Sequence, residues 1–267
     1  MKLAFSEHVS DYANYVFPYA VWAFPEPGET PAQLFDAGFL PSGRRLDRFY
    51  LCRQIRVDLR QFHPSSENRR ILRKGAGIAA TLVPRADFAW TPARREFCAR
   101  YAERRWGAGV MSAARLDALL TSPIVSHLMV FTESGTGTET GLATLYLEDQ
   151  ALAFYSYAFY EPALLSRNLG MFMMTTAVVE FARRGCRHLY LGTCYAPNAL
   201  YKTQFAGVEF FNGFRWSACL DELKHLLQRD RPGAPAHLLE SADYAARFPA
   251  HAPDQLPAIT RFRLPLA

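Results

Sequence analysis

The sequence predicts an α+β (α/β) fold, a mixed sheet flanked by helices with a smaller α+β part toward the N-terminal end. Three observations predict it. Residues 127–159 read as three successive strands separated by turn signals. Residues 169–184 read as a helix that is apolar on nearly every side, with Met171, Phe172, Met173, Met174, Val178 and Phe181 spread around it, so it must pack inside against the sheet. A short apolar strand, His188–Leu191, follows and stops at Gly192, which sets that helix between sheet strands. The 267 residues are half hydrophobic and 14% aromatic, enough for a sizeable core in one large domain or two small ones. A charged fraction of 21% argues against general disorder.

Taken in order, residues 1–45 are rich in Pro, Tyr, Phe and Gly (Phe17-Pro18-Tyr19-Ala20, then Phe24-Pro25-Glu26-Pro27-Gly28) and are expected to be irregular and anchored by aromatic rings. Thr30 is placed to cap a short helix through Phe35 that closes near Gly38. Arg48–Leu59 alternates weakly and reads as strands. Ser65 or Ser66 caps a basic helix from Glu67 through Lys74, closed by Gly75, and Ile78–Val83 is a further strand. Pro92 opens a helix over Ala93–Trp106, where Phe97, Tyr101 and Trp106 stand among seven charges and Gly107 ends the run. Ser112 caps another helix through Leu120.

The three strands are His127–Glu133, Gly141–Glu148 and Ala151–Phe159, joined by a Ser-Gly-Thr-Gly-Thr loop and an Asp149-Gln150 turn. Glu161-Pro162 breaks the sheet. Beyond the apolar helix and its strand come a Tyr201-Lys202 pair, a turn at Gly207 and a strand ending at Trp216. Leu220–Arg229 is one more helix, residues 230–257 are Pro- and Ala-rich and loosely specified, and Ile259–Leu264 reads as a returning edge strand. This organisation divides into a basic N-terminal α+β region (1–92), a main domain (93–217) and a C-terminal helix with its tail (218–267).

Net charge +5 understates an asymmetry. Residues 41–110 hold 16 Lys and Arg against 6 Asp and Glu, while the rest of the chain holds 14 against 19. Concentrated positive charge attracts polyanions by counterion release, and the plain alternative is a solvated face with its own carboxylate partners. The five cysteines, Cys52, Cys98, Cys186, Cys194 and Cys219, are scattered without a C-x-x-C pair, which argues against a metal site or a disulfide framework and for small buried hydrophobes. No apolar run is long enough to span a bilayer and the first residues carry no targeting pattern, so the expected setting is cytoplasmic, away from membranes. Nothing in the sequence specifies an oligomeric state.

The order hairpin, strand, loop, helix, strand, helix, strand resembles the GNAT acyltransferase fold. In that family a Q/R-x-x-G-x-G/A loop holds a pyrophosphate at the N-terminus of the central helix. Here Arg167-Asn168-Leu169-Gly170-Met171-Phe172 stands in its place, and Phe172 at the last small position is expected to keep coenzyme A away. The pattern is narrower still. Arg56-Val57 followed by Phe62-His63-Pro64-Ser65-Ser66-Glu67-Asn68-Arg69-Arg70 resembles the R-V-x-x-x-x-F-x-P-S-x-x-Q-R-R signature of arginyl-tRNA–protein transferases and bacterial aspartate/glutamate leucyltransferases. Phe159-Tyr160-Glu161-Pro162, Asn168-Leu169-Gly170, Leu191-Gly192, Tyr201-Lys202-Thr203-Gln204-Phe205 with Glu209, and Gly213 to Trp216 resemble their later motifs in the same order. The likeness runs over roughly residues 45–216. The chain departs from it at Phe17-Pro18-Tyr19, where a Cys-Pro-Tyr is expected, at Asn68 for Gln, and at Gly207 for Pro.

The resemblance implies transfer of an amino acid from aminoacyl-tRNA to the N-terminal amine of a protein or peptide, with the charged tRNA as donor substrate and no further cofactor. Such a site must orient an amine beside an activated ester, remove a proton and stabilise an oxyanion. Tyr201 or Tyr160 is expected to serve the oxyanion, Glu209 or Glu161 the proton or the incoming ammonium. Lys202 and Arg167, with Gly170, are expected to hold the terminal adenosine region, and Arg56, Ser65, Arg69 and Arg70 to hold the tRNA. No metal site is expected. The competing readings are an N-acyltransferase that uses acyl-CoA and a catalytically silent tRNA- or peptide-binding homologue.

Overall fold

A computed structural model of the chain describes residues 1–7, 10–13, 18–161, 168–229 and 242–249. Two sheets form. The smaller has the order β1-β2-β4-β3, from β1 (Lys2–Glu7), β2 (Tyr19–Phe24), β3 (Phe39–Pro41) and β4 (Phe49–Leu51), with α1 (Pro31–Asp36) between β2 and β3. Part of residues 1–45 is thus regular, against the expectation. Pro18 and Pro25 bracket Tyr19–Phe24, and the strand exists because Leu3 to Phe5 pair with Val21 to Ala23. That pairing leaves no local signal.

The chain then enters the large sheet with β5 (Gln54–Asp58), α2 (Ser66–Lys74) and β6 (Ile78–Pro84). It continues through α3 (Pro92–Trp106), α4 (Ala113–Leu120), β7 (His127–Glu133), β8 (Glu139–Glu148) and β9 (Leu152–Tyr160). The last described elements are α5 (Leu169–Arg183), β10 (His188–Thr193), β11 (Val208–Phe211), β12 (Trp216–Ser217), α6 (Leu220–Arg229) and α7 (Ala242–Arg247). The large sheet is mixed, in the order β12-β11-β5-β10-β9-β8-β7-β6. Residues 1–92 therefore divide between the two sheets, and β5 sits between β10 and β11, antiparallel to both.

The expected strand ending at Trp216 is two strands, β11 and β12, paired antiparallel across a turn. The loosely specified 230–257 contains α7, whose Tyr244 is buried and donates its hydroxyl to the buried carboxylate of Glu222 at 2.6 Å. Phe17, Arg167 and Ile259–Leu264 lie outside the described residues.

One face of the large sheet is covered by α2, α5 and α6. Ile55 and Val57 of β5, Leu189 and Leu191 of β10, and Met173, Val178 and Phe181 of α5 share that core. Every apolar face of α5 finds cover there, as its sequence requires; each such burial contributes about 1.5–3 kcal/mol. The other face has two covers. Helices α3 and α4 pack over the β6–β9 end through Cys98, Tyr101, Leu116 and Leu128. Helix α1 and the small sheet pack over the β9–β12 end through Phe35, Phe49, Phe154 and Tyr190.

Of the predicted caps, Ser65 and Ser112 accept the expected backbone N–H, while Thr30 stands at the N-cap of α1 with no side-chain cap hydrogen bond. Ser65 Oγ accepts the Asn68 N–H and Asn68 Oδ1 accepts the Ser65 N–H, both at 3.1 Å, so Asn68 plays the part a longer Gln would play in a capping box. Thr91 Oγ1 accepts the Arg94 N–H at the start of α3. Gly207, where a Pro was expected, has φ +79, and a Cβ there would meet the Asp58 carbonyl oxygen at 2.5 Å. Among the described residues no helix is long and apolar enough to cross a membrane.

Candidate active site

The site grows from one irregularity of the sheet. β9 and β10 run parallel and pair over only three positions, His188 with Leu152 through Tyr190 with Phe154. β9 then continues to Tyr160 while β10 bulges between Tyr190 and Gly192 and ends at Thr193. The two strands part, and a cleft of about 320 Å³ opens where they do, floored by Tyr155, Ala158 and Leu191. Strand ends that have lost their partner carry backbone groups free to meet a ligand.

Three elements build the walls. The first turns of α5 bring Gly170, Met171 and Met174. The C-terminal end of α3 brings Tyr101, Arg105 and Trp106. A 3₁₀ turn over Pro197–Thr203 brings Tyr201 and Lys202. Gly170 is where Tyr160 comes closest to the helix: a Cβ there would stand 2.9 Å from the Tyr160 hydroxyl. Tyr160 and Tyr101 then pack as a tilted pair, 4.6 Å between ring centroids. Any larger residue at 170 would push Tyr160 out of the cleft.

The electrostatics are one-sided. Lys202 Nζ donates to the Thr193 carbonyl at 2.9 Å, and burial pulls its pKa below the ordinary lysine value. Burial raises the hydroxyl pKa of Tyr201, Tyr155 and Tyr101, so these groups stay protonated donors. The Tyr155 hydroxyl is buried and has no hydrogen-bond partner among the described residues. Ser156 also lines the cleft, but its Oγ is 2.7 Å from Thr144 Oγ1 and faces no basic group. Among the described residues no carboxylate lines the cleft. The arrangement can polarise a carbonyl and exchange a proton, and it offers no activated nucleophile of its own.

The structure brings together four of the expected residues, Tyr160, Gly170, Tyr201 and Lys202. It places others elsewhere. Glu209 lies on β11 opposite Arg56, and its carboxylate accepts from Arg56 Nε at 2.7 Å. Arg56 also donates to Asp36 at 2.7 Å and stacks 3.8 Å over the Trp216 ring, with its own side chain 7% exposed. This buried network ties α1 to the large sheet on the face away from α5, so neither residue reaches the cleft. Glu161 follows Tyr160 at the strand end, 3.7 Å from Arg100 and outside the cleft lining. Ser65 caps α2, Arg69 holds the Pro64 carbonyl at 2.6 Å and Arg70 pairs with Glu67.

Phe172 corrects a further expectation. Its ring lies against Gly75 at the end of α2 and against Phe131, 5% exposed, inside the core. It does not stand at the helix mouth and decides nothing about coenzyme A.

Sequence reasoning missed Arg105, Tyr155 and Tyr157 as lining groups. A signal was present in Trp106 and Tyr101, aromatic residues spaced along a highly charged helix, and in the run of tyrosines along β9. The basic stretch 41–110 also separates into two classes. Arg56, Arg60, Arg70, Arg94, Arg95 and Arg100 have carboxylate partners. Arg44, Arg45, Arg104 and Arg105 are exposed and have none among the described residues.

No family model matches the chain. Among curated proteins, an aspartate/glutamate leucyltransferase from Marinobacter nauticus is 31% identical over 197 residues, which are 69% of this chain and 80% of the relative. One of the same name from Ruegeria pomeroyi is 28% identical over 184 residues, 65% of this chain, and the match spans 64% of that protein's length. Among solved structures, the C-terminal domain of a putative lysylphosphatidylglycerol synthetase from Agrobacterium fabrum aligns with a TM-score of 0.41 and 16% identity over 57% of this chain and 50% of its own, a likeness too low to bear on function.

Proposed function

The chain belongs to the aspartate/glutamate leucyltransferase family, and from that membership we propose that it moves a leucyl group from the ester of a charged tRNA to the α-amine of a protein or peptide that begins with Asp or Glu. The observation that carries this reading is the charge of the cleft: among the described residues, two cations, Lys202 and Arg105, and no carboxylate. A leucyl side chain can rest on Met171, Met174 and Leu191. An arginyl side chain would bring a guanidinium into a pocket with two like charges and no acid to pair with, which costs affinity. An acceptor with an acidic first residue meets the opposite situation, since its carboxylate can face Arg105 at the mouth.

The chemistry follows from the groups present. The donor is already an activated ester, so no covalent enzyme intermediate and no cofactor enter. The acceptor nitrogen attacks the ester carbonyl carbon, and the developing oxyanion is met by neutral hydroxyls, Tyr201 and Tyr160. A protein α-amine has a pKa of about 8, so its neutral form is available near neutral pH. The amine proton passes to water at the cleft mouth, and Lys202, a cation whose proton burial has made easier to release, supplies one to the leaving oxygen. The bond from the carbonyl carbon to the ribose oxygen breaks as that oxygen takes the proton. Because the donor is charged tRNA, we place the reaction in the cytoplasm.

The test is a transfer assay with labelled leucyl-tRNA and arginyl-tRNA against peptides that differ only in their first residue. Leucine should pass to Asp- and Glu-initiated peptides and hardly to a Lys-initiated one. Equal transfer of arginine, or no preference for an acidic first residue, would refute the charge argument.

A further inference from the structure

The two covers on the outer face of the large sheet do not meet along their whole length, and the seam between them is a groove. Its walls are the loop Pro41 to Arg44 on the small-sheet side and Val110, Met111 and Arg115 on the α3–α4 side. The groove has a volume of about 550 Å³ and adjoins the cleft, with Trp106 and Tyr157 lining both. At its other end it passes into a second hollow of about 490 Å³ that shares Gly43 and Arg44 with it and is flanked by Arg45, Asp47 and Arg48. Three adjoining hollows thus mark a channel from the cleft along the seam.

Resting on the reading that the donor is a charged tRNA, we propose that the unpaired 3′ end of that RNA lies in this channel, with Trp106 and Tyr157 stacking its bases and Arg44, Arg45 and Arg115 following its phosphates. Three observations converge. The first is charge: Arg44, Arg45, Arg105 and Arg115 are exposed along the channel without carboxylate partners among the described residues, and Asp47 is the one acid in its lining. The second is aromatic surface. Trp106 and Tyr157 are 37% and 38% exposed at the junction of cleft and groove, where a helix end and a strand would ordinarily bury such rings. Unpaired bases stack on rings held this way, and basic residues in a groove track the backbone. The third is fixation. Leu46 is held at φ 60 while packing against the core of the small sheet, so the loop that presents Arg44, Arg45 and Arg48 is pinned at a conformational cost.

The exposed face of α2 is the alternative track, and it is less suited. Arg69 and Arg115 are alike in donating to a backbone carbonyl, of Pro64 and Val110, but Arg70 is tied to Glu67 and a convex helix offers no walls for a flexible strand. An acidic peptide is the alternative occupant. Its first side chain needs one cation beside the cleft, which Arg105 supplies, whereas cations repeated away from the cleft match a repeating anion.

The experiment measures binding of an uncharged RNA hairpin with an unpaired 3′ tail to the full chain by fluorescence anisotropy, beside a blunt hairpin and an acidic peptide as competitor. The tailed hairpin should bind at least fivefold more tightly than the blunt one. Arg44→Gln with Arg115→Gln should weaken tail binding about tenfold, erase that preference and flatten the slope of log affinity against log salt by one to two contacts. Trp106→Ala should weaken it severalfold, while Arg73→Gln with Lys74→Gln on α2 should change it less than threefold. Equal binding of tailed and blunt RNA, or a larger loss from the α2 pair than from the groove pair, would overturn the proposal. So would displacement of the tail by the acidic peptide alone, which would assign the channel to the acceptor. The probe carries no amino acid, so a chain that binds the tail but transfers nothing refutes the catalytic reading and leaves the channel standing. Unimpaired tail binding by the groove pair in a chain that transfers leucine refutes the channel alone.

Discussion

At the centre of β5, Arg56 is enclosed by Asp36, Glu209 and the Trp216 ring, whereas one strand away, past the end of β10, Lys202 has only the Thr193 carbonyl among the described residues. Arg56 is buried in the sheet, and Lys202 is half-buried on the 3₁₀ turn that follows β10. The first is paid for in full by two carboxylates and a π face, and the second keeps a depressed pKa in a cleft that no described carboxylate lines. The difference separates a charge that holds the frame from a charge with capacity left for a ligand. Buried polar groups are normally satisfied, so one left short of partners marks a place where something else completes it.

That comparison can be broken from either side. Lys202→Ala should lower leucyl transfer by about a hundredfold or more while leaving the melting temperature within a few degrees, as expected for loss of a proton carrier. A fall in both together would make Lys202 a frame residue. Arg56→Ala should do the reverse, costing about 3–5 kcal/mol in denaturant unfolding because two carboxylates lose their partner. An unchanged midpoint would show that the network contributes little.

His188, 3% exposed on β10 near Arg56, sharpens the frame side through pH. Burial and then the Arg56 charge push it down to about 3. Its folded pKa lies below the unfolded value, so its contribution is present above about pH 6.5 and is lost as pH falls toward 3. In that window stability should fall by about 1.4 kcal/mol per pH unit from this group, and His188→Gln should flatten the slope. An identical slope in the variant would remove His188 from the account. The smallest expected effect is Ser65→Ala, which should cost about 1 kcal/mol of stability through the lost cap and leave transfer unchanged. A selective loss of transfer would return Ser65 to the substrate.

What was legible in the sequence was local. The strands of 127–159, the covered helix at 169, the caps at Ser65 and Ser112 and the turn at Asp149, which has φ 46, all rest on neighbours a few residues apart. Tyr160, Gly170, Tyr201 and Lys202 could be gathered because they sit at strand and helix ends of one successive unit. Glu209 could not be placed, since its partner Arg56 is 153 residues away and they meet only because β5 is inserted beside β11. The direction of Phe172 was equally hidden. A helix covered on every side gives no sign of which residue faces the ligand. The groove between the two covers depends on how two separately packed units are set on one sheet, which no local pattern records.

The insertion of β5 also governs what can be cut away. β10 has β5 on one side and β11 hangs from it on the other, so the sheet from β10 to β12 is closed by a strand translated long before its neighbours. A fragment beginning at residue 93 would carry the whole catalytic cleft and yet leave β10 and β11 with bare edges where that strand belongs. Bare edges recruit other strands, so such a fragment should aggregate before it could be assayed. The transferase unit therefore cannot be trimmed to its own motifs: its last third waits for a partner supplied by its first.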